Sequence, residues 1–229
     1  MKETCGNFDA SYGVNVTRNG AGMSKRKVVL GVRGQRGGGV VVAFAMESAA
    51  PRVVMSRFVA TAAEGDRISM EPYHAAAEMP RLKDGSASAA AKAAVAEGRR
   101  RQETLAMTGL LEITTILNGQ GYAVDEACLL VNRAGWMDDL LAYSLMDPGH
   151  PPVAEGLSVR EALRVAFRKL RLDVSEMDEK SLPDLASQVL GLTAGAIEVR
   201  LKELGASAGR PWRKEQKLAC LAAWVTCVA

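Results

Sequence analysis

The residues best placed to do chemistry in this 229-residue chain are cations, set where a phosphate could be met. Lys27 to Glu47 reads as two apolar runs about a glycine-rich turn, with Arg33 closing the first run and Gly34, Arg36 and Gly37 following it. Backbone amides of such a turn, with Arg33 and Arg36 as charge partners, could hold a phosphate. The same glycines also suit a tight hairpin for geometry alone, because they supply positive φ without steric cost. Further along, Arg160, Arg164, Arg168 and Arg171 share one face of a predicted helix, opposite Leu163, Phe167 and Leu170. That face is either a stripe that tracks phosphates or an ordinary solvated surface.

Other reactive residue types are sparse. His74 could act as an acid or base near neutral pH, yet no partner lies near it in sequence, and capping or packing is the alternative. His150 and Glu155 could form a polar cluster in a Pro-rich turn, where the prolines also stiffen a loop. Asp138 and Asp139 fit the first turn of a helix, where the helix dipole favours acids. Arg99, Arg100 and Arg101 circle a helix and mark exposed surface, and Trp224 belongs to a core rather than to a stacking platform.

Composition narrows the classes. With 48% apolar residues the chain can bury a full core, as one large or two small domains, and only 5% aromatic residues with abundant alanine favours helix-rich packing. A net charge of +3 and pI near 8.7 permit an acidic partner without demanding one. The four cysteines, Cys5, Cys128, Cys220 and Cys227, form no CxxC pair and read as free thiols of a reducing cytosol. No apolar run approaches the ~20 residues of a membrane span. Residues 1–22 read as a flexible arm ahead of a possible start at Met23, and the Asn15-Val16-Thr17 sequon as a chance match. There is no GxxxxGK[ST] loop, no GxGxxG before a helix and no GxSxG elbow.

Positioning these residues requires an ordered set of elements. β-Branched apolar runs predict strands over Lys27–Val32, Gly39–Met46 and, after Pro51, Arg52–Ala60, joined closely enough to make an antiparallel meander. A short helix is expected around Tyr73–Glu78. A long one starts at Ser86 or Ser88 and runs to about Asn118, carrying Met107, Leu110, Leu111, Thr114 and Leu117 on one face unless Gly98 or Gly109 breaks it. Then come a strand over Val124–Asn132, a helix over Met137–Met146, a helix opened by a Ser158-x-x-Glu161 capping box, and a short strand over Arg171–Ser175. Three helices, near 182–190, 194–204 and 213–228, end the chain. The expected fold is α/β, a mixed sheet of a three-strand meander plus one or two further strands, flanked by helices. One domain over 23–229 carries it.

This order, and three motifs, resemble the RuvC-like branch of the ribonuclease H-like fold. Leu30-Gly-Val-Arg-Gly34 stands where that branch ends its first strand in an aspartate, Leu130-Val-Asn132 where its fourth strand carries a glutamate, and Lys214-Glu-Gln-Lys-Leu-Ala-Cys-Leu-Ala-Ala223 where its last helix carries an acid. The chain is also similar to an uncharacterised bacterial family through Pro72-Tyr-His-Ala75, His150-Pro-Pro-Val-Ala-Glu-Gly156 and Arg210-Pro-Trp-Arg-Lys-Glu-Gln-Lys217. The resemblance implies phosphodiester chemistry by carboxylates converging on Mg²⁺. At the matched positions this chain offers Arg33, Asn132 and Lys217, two of them cations that would repel the metal.

The expectation is therefore a pseudoenzyme with no catalytic or metal-binding residue and no cofactor. It would sit in the cytoplasm, away from membranes, and bind nucleic acid or another phosphate-bearing partner. Arg33, Gly34, Arg36, Gly37, Asn132, Arg160, Arg164, Arg168 and Lys217 would make the contacts. Two alternatives stay open: a small nucleotide-binding or phosphotransfer enzyme of the actin-like type using the Gly34–Gly39 turn, and a structural homodimer.

Overall fold

A computed structural model describes residues 25–132 and 137–229. The expected arm over 1–22, with Cys5 and the Asn15 sequon, lies outside the described residues. β1 (Arg26–Gln35) and β2 (Gly38–Glu47) outrun the apolar stretches that predict them. The glycines expected to form a loop join the ladder instead, Gly34 opposite Gly39 and Gln35 opposite Gly38. The turn is only Arg36-Gly37, with Gly37 at φ +76°. Within Gly34–Gly39, only Arg36 and Gly37 therefore lie outside the ladder.

β3 (Ala50–Ala60) completes the antiparallel meander. On the other side of β1 lie β4 (Tyr122–Val131) and β5 (Asp173–Asp178), each parallel to its neighbour, giving the order β3-β2-β1-β4-β5. A meander extended by parallel strands, each reached through helices, is the ribonuclease H-like arrangement. β5 starts later than expected because Arg171, at φ 58°, caps the preceding helix in the left-handed conformation.

The strand period of two divides the core. Val28, Leu30 and Val32 face α3 (Ala89–Gly119) and α5 (Pro151–Leu170). Val29, Val40, Val42 and Phe44 face α6 (Leu182–Leu190), α7 (Ala194–Ala208) and α8 (Lys214–Val228). Trp224 of α8 is buried there and stacks on Phe44 at 6.1 Å. Beyond α3 and α5, α2 (Pro72–Ala77) and α4 (Leu140–Met146) enclose a smaller apolar cluster. The four-residue α1 (Arg67–Met70) has too little periodicity to be seen in sequence.

Two helices correct the sequence-based expectation. α3 is not broken at Gly98: a Cβ there would lie 2.4 Å from the Ile68 carbonyl oxygen, so the glycine serves close packing of α1 and α2 on α3. α5 begins at Pro151 rather than at Ser158, with proline preset for a first helical turn. Ser158 is therefore interior. Its Oγ donates to Gln102 Oε1 at 2.6 Å, and Gln102 Nε2 donates to the Ser69 carbonyl at 2.8 Å. The apparent capping box is a buried polar thread joining α5, α3 and α1.

The tightest contact in the core fixes α8 on the sheet. A Cβ at Gly31 would fall 1.8 Å from the Ala219 carbonyl oxygen and 2.9 Å from Ala223 Cβ. Both obstacles are rigid, so Gly31→Ala must push α8 off β1. Overpacking of this kind costs about 3 kcal/mol, and denaturant unfolding is expected to show that loss; a change under about 1 kcal/mol would refute the contact.

Candidate functional site

The carboxyl ends of β1, β4 and β5 converge, the position where ligands of parallel sheets are held. Arg33 lies near the end of β1. Its Nε and Nη2 donate to both oxygens of Glu179, each at 2.9 Å. Glu179 is fixed just past β5, its amide donating to the Val131 carbonyl at 2.8 Å. From α5, Arg160 Nη1 donates to Asn132 Oδ1 at 2.7 Å. A Cβ on Gly34 would meet Arg160 Cγ at 3.1 Å, so the missing side chain lets Arg160 lie along β1. One helical turn later Arg164 forks onto Glu176 of β5, with Nη2 to Oε2 at 3.1 Å, and also reaches Glu161.

Charges are matched across this cluster, with one exception. Among the described residues, Arg160 Nε is buried with no hydrogen-bond partner. Burial, reinforced by the neighbouring Arg164 and Arg33 guanidiniums against the pull of Glu179 and Glu176, holds Arg160 below the usual arginine range. The side chain nonetheless remains a cation, since guanidinium does not deprotonate in proteins. A buried charged donor without an acceptor costs at least about 1–3 kcal/mol.

The predicted residues thus divide. Arg33, Asn132, Arg160 and Arg164 are brought together. Gly34 makes room for them, and Arg168 continues the helix face outward, donating to Glu161 at 3.1 Å. Arg36 leaves the group at the hairpin tip, where it pairs with Glu71, beside Gly37. Lys217 lines a groove between α7 and α8, and among the described residues it joins none of these hydrogen bonds or ion pairs. Sequence reasoning missed the acids that neutralise the stripe. Glu176 lies in β5 and Glu179 just past it, later than the strand expected over Arg171–Ser175, and nothing local in sequence reveals a contact 146 positions away.

A second cluster was missed for the same reason. His74 Nδ1 lies 3.7 Å from Oε1 of Glu155, whose side chain is 4% exposed, an approach that makes an ion pair only when the imidazole is protonated. Glu155 Oε1 accepts the backbone amides of Tyr73 at 2.7 Å and His74 at 3.1 Å, while its Oε2 is buried without a partner. Burial pushes this carboxyl up to about 7, against the lowering effect of the two amides and of Arg36. Glu155 is therefore not a partner of His150, which stacks on Tyr143 at 4.0 Å and bonds through Nδ1 to the Tyr143 carbonyl. Asp139 caps α4, accepting the amides of Leu141 and Ala142.

The described thiols, Cys128, Cys220 and Cys227, are all pushed up by burial and are poor nucleophiles. Cys128 and Cys220 are free and buried, and burial pushes Cys220 up to about 12. Among the described residues no three of His, Cys, Asp and Glu gather as metal ligands, and no helix is long and apolar enough to cross a membrane.

Comparison with known proteins places the chain near one group of solved structures. No family model and no curated protein matches it. The chain is similar to Thermus thermophilus RuvC at 14% identity, over 86% of this chain and 92% of that one, with a TM-score of 0.47. It is likewise similar to T. thermophilus RuvC in complex with Holliday junction substrate, at 12% identity over 87% and 92%, with a TM-score of 0.48.

Proposed function

We propose that this chain is a non-catalytic ribonuclease H-like protein that binds nucleic acid or another phosphate-bearing partner at the carboxyl edge of its sheet. The observation that carries the reading is the Arg160 Nε–H, a charged donor held without an acceptor among Arg33 and Arg164. Arginine forks suit phosphate oxygens in a bidentate geometry. The surrounding ion pairs do not block this, because half-exposed pairs contribute only about 0–1 kcal/mol and can be exchanged. The absence of nuclease chemistry is read from the residues themselves. Where the fold's relatives in sequence pattern would place acids, this chain has Arg33, Asn132 and Lys217, and a cation cannot generate a metal-bound hydroxide.

The test is fluorescence anisotropy with labelled duplex and single-stranded DNA as salt is raised. Affinity is expected to fall linearly on a log–log plot, as counterion release requires, and Arg160→Ala should weaken binding about tenfold by removing one phosphate contact. A flat salt response, or unaltered binding in the Arg33→Ala, Arg160→Ala double variant, would sink the proposal.

A further inference from the structure

The groove between α7 and α8 lies on the opposite face of the sheet from α5 and has a different chemistry. Its floor is aliphatic, formed by Ile197 and Leu201 of α7 with Leu218 and Leu221 of α8. Ile197, Leu201 and Leu221 are 5%, 7% and 5% exposed, so the groove is their remaining access to solvent. It encloses about 380 Å³. The rim is cationic: Arg213, Lys214 and Lys217 line it against the lone carboxylate of Glu198. Among the described residues, none of these three side chains forms an ion pair with a carboxylate. They differ in this from Arg33, Arg164 and Arg168, which all have acidic partners.

Two classes of macromolecule are attracted to cations, and the floor separates them. A single strand bound without sequence preference stacks its bases on exposed rings as well as tracking cations. The ring here, Trp212, is turned inward: its Cδ1 and Nε1 lie against Gly205, and Nε1 donates to the Leu201 carbonyl at 2.8 Å. What remains is a dry aliphatic trough with positive edges. An amphipathic helix whose apolar side chains recur at i, i+3, i+4 and i+7 and whose flanks carry acids satisfies both features. We infer that the α7–α8 groove is a docking site for an acidic amphipathic helix of a partner protein, with Lys214 and Lys217 pairing its carboxylates.

The probe is a labelled synthetic helix with leucines at that spacing and glutamates on the flanks, titrated with the whole chain. Its scrambled isomer and a labelled single-stranded oligonucleotide are run alongside. The amphipathic peptide is expected to bind at least about tenfold more tightly than the scrambled one, because only the former fills the floor. Lys214→Glu with Lys217→Glu should cost at least about tenfold through charge reversal at the rim. Ala194→Trp, an exposed position on the groove wall, should block it. Arg33→Ala with Arg160→Ala should leave peptide binding unchanged, so failure here and failure of the anion site read out separately. Thermal unfolding of each variant checks the fold. Equal binding of the scrambled peptide, no effect of either groove variant, or an oligonucleotide that loses affinity on the Lys214 and Lys217 reversals would overturn the inference.

Discussion

Glu155→Gln is expected to remove a fall in stability between about pH 4.5 and pH 7 that the buried Glu155 carboxyl imposes. Glu155 has its carboxyl raised from 4.5 to about 7 by burial. A raised carboxyl binds its proton in the native state while the unfolded chain has already released it. In that window the native state holds more protons, so stability falls as pH rises and is fully present only below about 4.5. At 1.36 kcal/mol per unit the fall amounts to roughly 3 kcal/mol. Glutamine keeps a carbonyl oxygen for the Tyr73 and His74 amides and carries no charge to desolvate. The groups facing the site, His74 from α2 and Arg36 from the hairpin tip, are unaltered in the variant. Denaturant unfolding at a series of pH values should give a falling line for the native chain and a nearly level one for the variant, meeting on the acid side. Parallel lines would refute the assignment.

How much of this was legible in the sequence depends on the range of the interaction. Short-range signals sufficed for the strands: the apolar runs ending at Val32 and starting at Gly39 lie inside β1 and β2, and Ser88 caps α3 by accepting the Ala91 amide. Local signals failed where a tertiary partner decides. Ser158 and Glu161 have the spacing of a helix start, but Pro151 already opens α5, and Ser158 is committed to Gln102. Gly98 looks like a helix breaker until Ile68 and Pro72 press against it.

The site shows the same limit more sharply. Spacing of three and four along a helix put Arg160, Arg164 and Arg168 on one face, and the structure keeps them there. Whether such a face is free or neutralised is set by residues far away in the chain. Glu176 and Glu179 reach it only because β5 lies parallel to β4. A resemblance of sequence motifs groups Lys217 with Arg33, and in the structure its side chain lines the groove between α7 and α8.

The pairing of Arg33 with Glu179 leads to the largest expected effect on binding. The two side chains are 21% and 27% exposed and joined by two hydrogen bonds of 2.9 Å, the same fork a phosphate would accept. Glu179 therefore competes with any phosphate for Arg33. Arg33→Ala with Arg160→Ala should weaken DNA binding about a hundredfold, each lost phosphate contact counting for about tenfold. Glu179→Gln should act in the opposite direction, strengthening binding several-fold and steepening the log–log salt slope by about one, since one more cation is released to the phosphates. Its effect on stability should be a loss of about 1–3 kcal/mol, since the part-buried Arg33 loses a charged acceptor. Simple loss of a negative charge is a rival explanation, and Glu112→Gln, on the exposed surface of α3, measures it. The decisive comparison is the double variant. If Glu179 acts through Arg33, the gain from Glu179→Gln must vanish when Arg33 is already alanine, because interacting residues are non-additive. A gain that persists without Arg33, or that Glu112→Gln reproduces, would show that Glu179 lowers affinity only by its charge, and Arg33 would lose its place in the site.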